Sequence, residues 1–160
     1  MELLKLKRVR PGAKIGVIAP ASPAAPERVR SGLSYLEARG YTLLSQLDPS
    51  ERFNNLGKSL SSADATDRAR AFMDLVEDEE VELILSVRGG YGSVEILPSL
   101  DFSKIRQARK PVVGYSDITA MLSAIYKHSG LPAIHGPCLA AELACSDQPE
   151  AKQSLSLIHI

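Results

Sequence analysis

Tryptophan is absent from the sequence, and with three phenylalanines and five tyrosines aromatic residues reach only 5%. A surface that stacks nucleobases needs aromatic platforms, and this chain has few to offer. No charge surplus exists either, because 19 lysines and arginines balance 19 aspartates and glutamates. Without a basic field, neither nucleic acid nor an acidic membrane is an expected partner. Cysteine occurs twice, as Cys138 and Cys145, in no metal or redox spacing. Free thiols in a reducing cytoplasm are therefore expected. The opening Met1-Glu2-Leu3-Leu4-Lys5-Leu6-Lys7-Arg8 lacks the apolar core of a signal peptide, and no apolar run is long enough to span a bilayer. Those two absences agree with the cytoplasmic location that the thiols suggest.

What is present suits one folded domain. A chain of 160 residues with 44% hydrophobic and 24% charged residues can bury a core of ordinary size. Apolar runs alternate with helical patterns. Lys14-Ile15-Gly16-Val17-Ile18-Ala19 predicts a buried strand, ended by Pro20-Ala21-Ser22-Pro23. Residues 27–39 place Val29, Leu33 and Leu36 on one helical face and stop at Gly40. A strand follows at residues 41–44, and the polar stretch 48–62 predicts a mobile surface loop. A second helix over 63–77 turns Ala69, Phe72, Met73 and Val76 inward, with Asp64 near its positive end. Strands at 81–86, 111–114 and 131–134 complete the pattern, with short helical pieces around Pro98. Strands spaced by helices imply βα units, hence an α/β fold with a parallel sheet and helices on both faces. Residues 140–153 predict the start of a further helix. The apolar end Ser154-Leu155-Ser156-Leu157-Ile158-His159-Ile160 has no cap or following element, and 151–160 is expected to be a truncated or foreign tail behind a domain over 1–150.

Ligands of such sheets gather at the carboxyl ends of the strands. Two stretches fall there. In Lys110-Pro111-Val112-Val113-Gly114-Tyr115-Ser116-Asp117-Ile118-Thr119 a strand stops at Gly114, and a helix opens with Ile118, Met121, Leu122, Ile125 and Tyr126 on one face. Ser116 thus occupies a strand-to-helix corner, which lifts a hydroxyl off the sheet and aims backbone N–H groups and a positive helix end at its target. Negative charge develops at such a point during acyl transfer, so the corner suits a nucleophile. A plain helix cap by Ser116 or Asp117 explains the same residues. The second stretch is Arg88-Gly89-Gly90-Tyr91-Gly92. Its glycines permit positive φ and let a ligand approach main-chain N–H groups, or they simply make a tight turn. Arg88 can clamp a carboxylate or pair with an acid at the loop base. Tyr91 is expected as a packed lid over the turn.

Two look-alikes fail. Gly57-Lys58-Ser59 imitates the end of a phosphate loop, yet Arg52 stands where that motif needs glycine, and no strand precedes it. His135 with Cys138 and Cys145 lacks the paired-cysteine spacing of zinc sites. His135 is expected as a structural residue at a strand end, and His128 as a helix C-terminal one.

Taken in order, Arg88-Gly89-Gly90-Tyr91-Gly92, Gly114-Tyr115-Ser116-Asp117-Ile118-Thr119 and His135-Gly136-Pro137 make the chain resemble the LD-carboxypeptidases, a serine peptidase family. The resemblance runs from Lys14 to about Leu143 and includes Ile15-Gly16-Val17-Ile18-Ala19-Pro20-Ala21-Ser22. It implies the Rossmann/flavodoxin-like N-terminal domain of a two-domain enzyme that cleaves the amide between an L-centre and a terminal D-amino acid. Murein tetrapeptide in cell-wall recycling is the implied small-peptide substrate, with an aminoacyl-nucleotide antibiotic as the other family substrate. By the same resemblance Ser116 is the nucleophile, the backbone N–H groups of Asp117 and Gly90 stabilise the oxyanion, and Arg88, Gly89 and Tyr91 meet the substrate. The Asp117 side chain is left to cap its helix. No metal or organic cofactor is implied, and a homodimer is. The family's glutamate and histidine come from a C-terminal domain that this chain lacks, and neither His135 nor Glu142 matches them. The chain alone is thus expected to be close to inactive. A non-catalytic module that binds a small anion or nucleotide through the glycine loop is the alternative.

Overall fold

The computed structural model describes residues 4–45 and 61–145. Five strands form one parallel sheet: β1 (Lys14–Ile18), β2 (Thr42–Ser45), β3 (Val81–Ser86), β4 (Val112–Gly114) and β5 (Ile134–His135). Their order is β2-β1-β3-β4-β5. The chain therefore steps one way from β1 to β2 and returns past β1 to β3. Loops leaving β1 and β3 diverge at that reversal, and the crevice between them is where such sheets bind ligands.

Helices cover both faces, as the alternation of elements predicts. On one face α1 (Pro26–Glu37) starts at a proline, whose missing N–H is no loss in a first turn. Its Val29 and Leu36 pack with Ile15, Val17, Leu83, Leu85 and Val113 of the sheet, and Leu139 and Leu143 join them. Gly32 of α1 lies so close to the chain at Leu139 that a Cβ would stand 2.4 Å from the Leu139 carbonyl oxygen. The other face carries α2 (Ala65–Glu77), α3 (Ser93–Ile96), α4 (Phe102–Ala108) and α5 (Ile118–Ser129). Phe72, Leu75, Ile96, Met121 and Ile125 there meet Ile18, Ile84 and Val112. Phe72 and Leu75 are fully buried, and each such side chain contributes roughly 2 kcal/mol. A single 3₁₀ turn at Leu97–Ser99 accommodates Pro98 between α3 and α4, and Asp101 caps α4 by accepting from the N–H groups of Ser103 and Lys104.

Three expectations are corrected. β5 occupies Ile134–His135 rather than residues 131–134, because Pro132 has no N–H for β4 and pairing begins beyond it, at Val113↔Ile134. Tyr126 is 46% exposed. At 3.6 residues per turn it sits about 80° from Ile118, at the margin of the buried stripe. Ser129, nearer the stripe's centre, is buried instead. Met73, half-buried, packs against the core as expected. From Ala140 to Cys145 the chain makes turns and no helix. The N–H groups of Leu139 and Ala140 donate to Ser86 and Val87 carbonyls, and Arg28 takes the carbonyls of Ala140 and Ala141. The loop expected at 48–62 falls mostly outside the described residues, as do Gly57-Lys58-Ser59 and the tail 151–160.

Candidate active site

Gly114 ends β4 where a Cβ would collide with Ile118 at 2.8 Å and with the Ser86 hydroxyl at 2.9 Å. The strand can thus turn directly over the start of α5. Two residues on, Ser116 adopts φ +62°, a left-handed conformation that disfavours a residue with a Cβ by roughly 1–2 kcal/mol. The bend leaves its side chain exposed at the carboxyl end of the sheet, and its hydroxyl makes no hydrogen bond to any described residue. Asp117 follows with φ −53° and ψ −32° and precedes the first turn of α5.

The Asp117 side chain does not cap α5, contrary to expectation. Capping side chains hang from extended backbone, whereas this residue is already helical. Its Oδ2 instead accepts the Ser93 N–H at 2.9 Å, and its carbonyl accepts the Ser93 hydroxyl at 2.6 Å. Ser116 makes no side-chain cap either.

The glycine loop threads between this corner and the loop after β1. Gly89 is buried against Ser116, with its missing Cβ 2.8 Å from Ser116 Cβ and 3.1 Å from Oγ. Gly90 (φ +115°) abuts Ser22, whose hydroxyl would lie 2.3 Å from a Cβ. Tyr91 donates its N–H to that same Ser22 Oγ at 3.0 Å. The Gly90 and Asp117 N–H groups have no acceptor among the described residues. Tyr91 is 55% exposed and so is not the packed lid expected of it. Its main chain anchors it, and flanking glycines give its ring no wall to lie on. Arg88 is exposed and joins no ion pair among the described residues.

A cleft of about 360 Å³ opens here, lined by Arg28, Arg88, Gly89, Gly90, Tyr115 and Ser116, with Ala24, Ala25, Ala140 and Ala141. Among the described residues its only charged walls are two guanidinium groups. A larger hollow of about 710 Å³ lies at the opposite end of the sheet, around Lys14, Glu80 and Glu82. Most of its charged groups already pair, Lys14 with Glu80 at 2.7 Å and Arg10 with Glu82, and it is remote from the crevice between β1 and β3.

Several contributors have no site role in the sequence reading. Arg28 lines the cleft while its Nε and Nη2 hold the carbonyls of Ala140 (2.7 Å) and Ala141 (3.2 Å). Tyr115 donates its hydroxyl to Glu142 Oε1 at 2.8 Å, and Glu142 Oε2 accepts the Cys138 N–H at 3.0 Å. That hydrogen bond, with burial and the nearby carboxylate charge, pushes the Tyr115 phenol up to about 12. Burial pushes the Cys138 thiol up to about 11. Fully enclosed, too, is Arg68 on α2, with 0% exposure. Its position i relative to Phe72 (i+4) and Leu75 (i+7) was the available signal, since it puts a charge in the buried stripe. His135 is exposed at the end of β5, its ring tilted against Tyr115 with centroids 5.8 Å apart. His128 in the last turn of α5 lies against Phe102. Among the described residues no cluster of three or more potential metal ligands exists, and no helix is long and apolar enough to cross a membrane.

A family model described as the LD-carboxypeptidase N-terminal domain matches residues 15–136. A probable murein peptide carboxypeptidase of Bacillus subtilis is 35% identical over 143 residues, which is 89% of this chain and 43% of that protein. The murein tetrapeptide carboxypeptidase of Pseudomonas aeruginosa is 32% identical over 125 residues, covering 78% of this chain and 39% of its own. Among solved structures, the microcin C7 self-immunity protein MccF in complex with adenosine monophosphate superposes with a TM-score of 0.85 at 28% identity. That alignment covers 98% of this chain and 46% of the other. The chain thus spans less than half the length of the relatives it matches.

Proposed function

The chain belongs to the LD-carboxypeptidase family, and from that premise we propose that Ser116 is the nucleophile of a serine carboxypeptidase acting on murein tetrapeptide. The observation that carries this reading is the corner itself. An exposed hydroxyl at φ +62° shares its cleft with Gly90 and directly precedes Asp117, and no described residue occupies the backbone N–H group of either. Oγ attacks the carbonyl carbon of the amide that links the terminal D-alanine. The carbonyl oxygen becomes an oxyanion, which these N–H groups bind; losing one such donor costs about 3 kcal/mol of transition-state stabilisation. The C–N bond then breaks, the leaving amine takes the proton that Oγ gave up, and water hydrolyses the acyl-serine. Arg88 faces the cleft to hold the terminal carboxylate, alongside Gly89 and Tyr91.

The proton needs a carrier, and serine is a poor nucleophile without one. Ser116 Oγ has no base in hydrogen-bond reach among the described residues, and the family resemblance assigns the base and its orienting partner to a C-terminal domain. By comparison with another serine protease, lack of the histidine lowers kcat by on the order of a millionfold, and residues 1–160 alone are expected to be nearly inactive. The reading places the enzyme in cytoplasmic cell-wall recycling. Expression from the complete gene, with D-alanine release from murein tetrapeptide measured beside Ser116→Ala, tests it. Equal turnover by the two proteins removes Ser116 from the chemistry.

A nucleotide-conjugated substrate is a second reading, favoured by the two guanidinium groups on the cleft and by the adenosine monophosphate bound to the MccF relative. Hydrolysis of an aminoacyl-nucleotide in preference to the tetrapeptide selects it. Calorimetry with the nucleotide alone separates both from a module that only binds: tight binding unchanged in Ser116→Ala, without turnover, supports the module.

A further inference from the structure

We propose that Arg68 is a positioning residue for the oxyanion donor at Gly90, an inference that rests on reading Ser116 as the nucleophile. Its guanidinium is enclosed at 0% exposure and reaches four acceptors on three stretches of chain. Nε donates to the Ala63 carbonyl at 2.9 Å. Nη1 donates to the Pro20 carbonyl at 2.5 Å and to the Gly92 carbonyl at 2.8 Å. Nη2 meets Glu95 Oε2 at 2.5 Å. Pro20 lies on the loop after β1 and Gly92 closes the glycine loop, so one nitrogen ties the two walls of the crevice together.

Gly90 sits between those ties. Ahead of it Gly89 rests on Ser116; behind it Tyr91 is bound through its N–H to Ser22, two residues beyond Pro20. Gly92 is then pulled onto Arg68. A Cβ on Gly92 would stand 3.1 Å from Arg68 Nη1 at φ +109°, so its bare backbone serves the guanidinium as well as the turn. Ser93, the next residue, is held by Asp117. The Gly90 main chain is thus held on both sides.

Stability alone does not call for an arginine here, since a buried ion pair is often matched by well-packed apolar residues. A rigid planar fork does something they cannot: Nε on the Ala63 carbonyl and Nη2 on Glu95 fix the guanidinium plane, and so the place of the Nη1 that spans the Pro20 and Gly92 carbonyls, a three-nitrogen arrangement that the single ammonium of lysine does not reproduce. Misplacing a catalytic group by an ångström lowers turnover by about 100-fold.

The test uses the protein expressed from its complete gene, with Arg68→Lys and Glu95→Gln. Glu95 is partly exposed, so Glu95→Gln keeps the fold if Arg68→Lys does not. Amide exchange across residues 88–93 is measured beside kcat and KM for D-alanine release. The expected result is faster exchange confined to that loop, with kcat about 100-fold lower in Arg68→Lys, several-fold lower in Glu95→Gln, and KM within about threefold of wild type. Should Arg68→Lys fail to fold, Glu95→Gln decides by the same two readouts. Unchanged loop exchange with unchanged kcat overturns the proposal, as does a fall in kcat accompanied by general loosening of the sheet. If wild type releases no D-alanine, the functional reading falls, while the loop exchange still reports whether Arg68 fixes the Gly90 main chain.

Discussion

Ser93 and Asp117 are joined twice: the Ser93 N–H meets the Asp117 carboxylate at 2.9 Å and the Ser93 hydroxyl meets the Asp117 carbonyl at 2.6 Å. The exit of the glycine loop is thereby fastened to the residue after Ser116. Asp117→Ala leaves the part-buried Ser93 N–H without its acceptor, an expected loss of about 2 kcal/mol. Asp117→Asn keeps an oxygen there and recovers most of it. Urea denaturation of the three proteins measures this, and equal midpoints for alanine and asparagine variants contradict the assignment.

Ser116 holds a backbone shape that glycine adopts freely. Ser116→Gly is expected to be more stable than Ser116→Ala by about 1 kcal/mol, although neither has a nucleophile. Thermal melts of the two variants decide it. An alanine variant as stable as the glycine variant means the corner stores no strain.

Tyr115 is held neutral by Glu142 and by burial, with its phenol up near 12 against an ordinary value of 10. The folded state therefore keeps a proton that the unfolded chain gives up. Its contribution to stability is whole below about pH 10 and is lost as pH rises through the folded value. Tyr115→Phe should flatten the stability profile above pH 10. A mutant profile parallel to wild type between pH 9 and about 11.5 refutes the linkage.

The two thiols should differ in reactivity. Cys138 is fully buried, with its thiol pushed up to about 11, whereas Cys145 is partly exposed beside Arg28. Only a thiolate that solvent reaches is alkylated readily. Iodoacetamide at pH 8, followed by peptide mass spectrometry, should modify Cys145 at least about tenfold faster. Comparable rates would mean that the turn after residue 138 opens readily.

The sheet was legible because β1 and β3 are apolar on both faces, so Lys14–Ile18 and Val81–Ser86 stand out as short runs. The corner was legible because a glycine, a serine and an amphipathic stripe follow one another at Gly114, Ser116 and Ile118. The partners of those residues were not. Nothing in local spacing says that Asp117 will reach sideways to Ser93, since that choice depends on where α3 packs. Arg68 lies 24 residues from Gly92 in sequence, and an arginine on a helix ordinarily faces water. Only the full buried stripe, with Phe72 and Leu75 beside it, marks Arg68 as enclosed. Tyr115 and Glu142 meet 27 residues apart because Leu139 and Ala140 dock on Ser86 at the end of β3 and on Val87 just beyond it, a contact with no periodic signature.

Gly32 never approaches a reacting atom, yet it governs an aperture. Because it carries no methyl, α1 lies flush beneath Leu139, and Ala140 and Ala141 descend to form one wall of the cleft. A single added carbon would work as a wedge under that wall, with the Leu139 carbonyl 2.4 Å away as its point of leverage. The size of guest admitted above Ser116 is thus set partly from the outer layer of the molecule, by an atom that is missing.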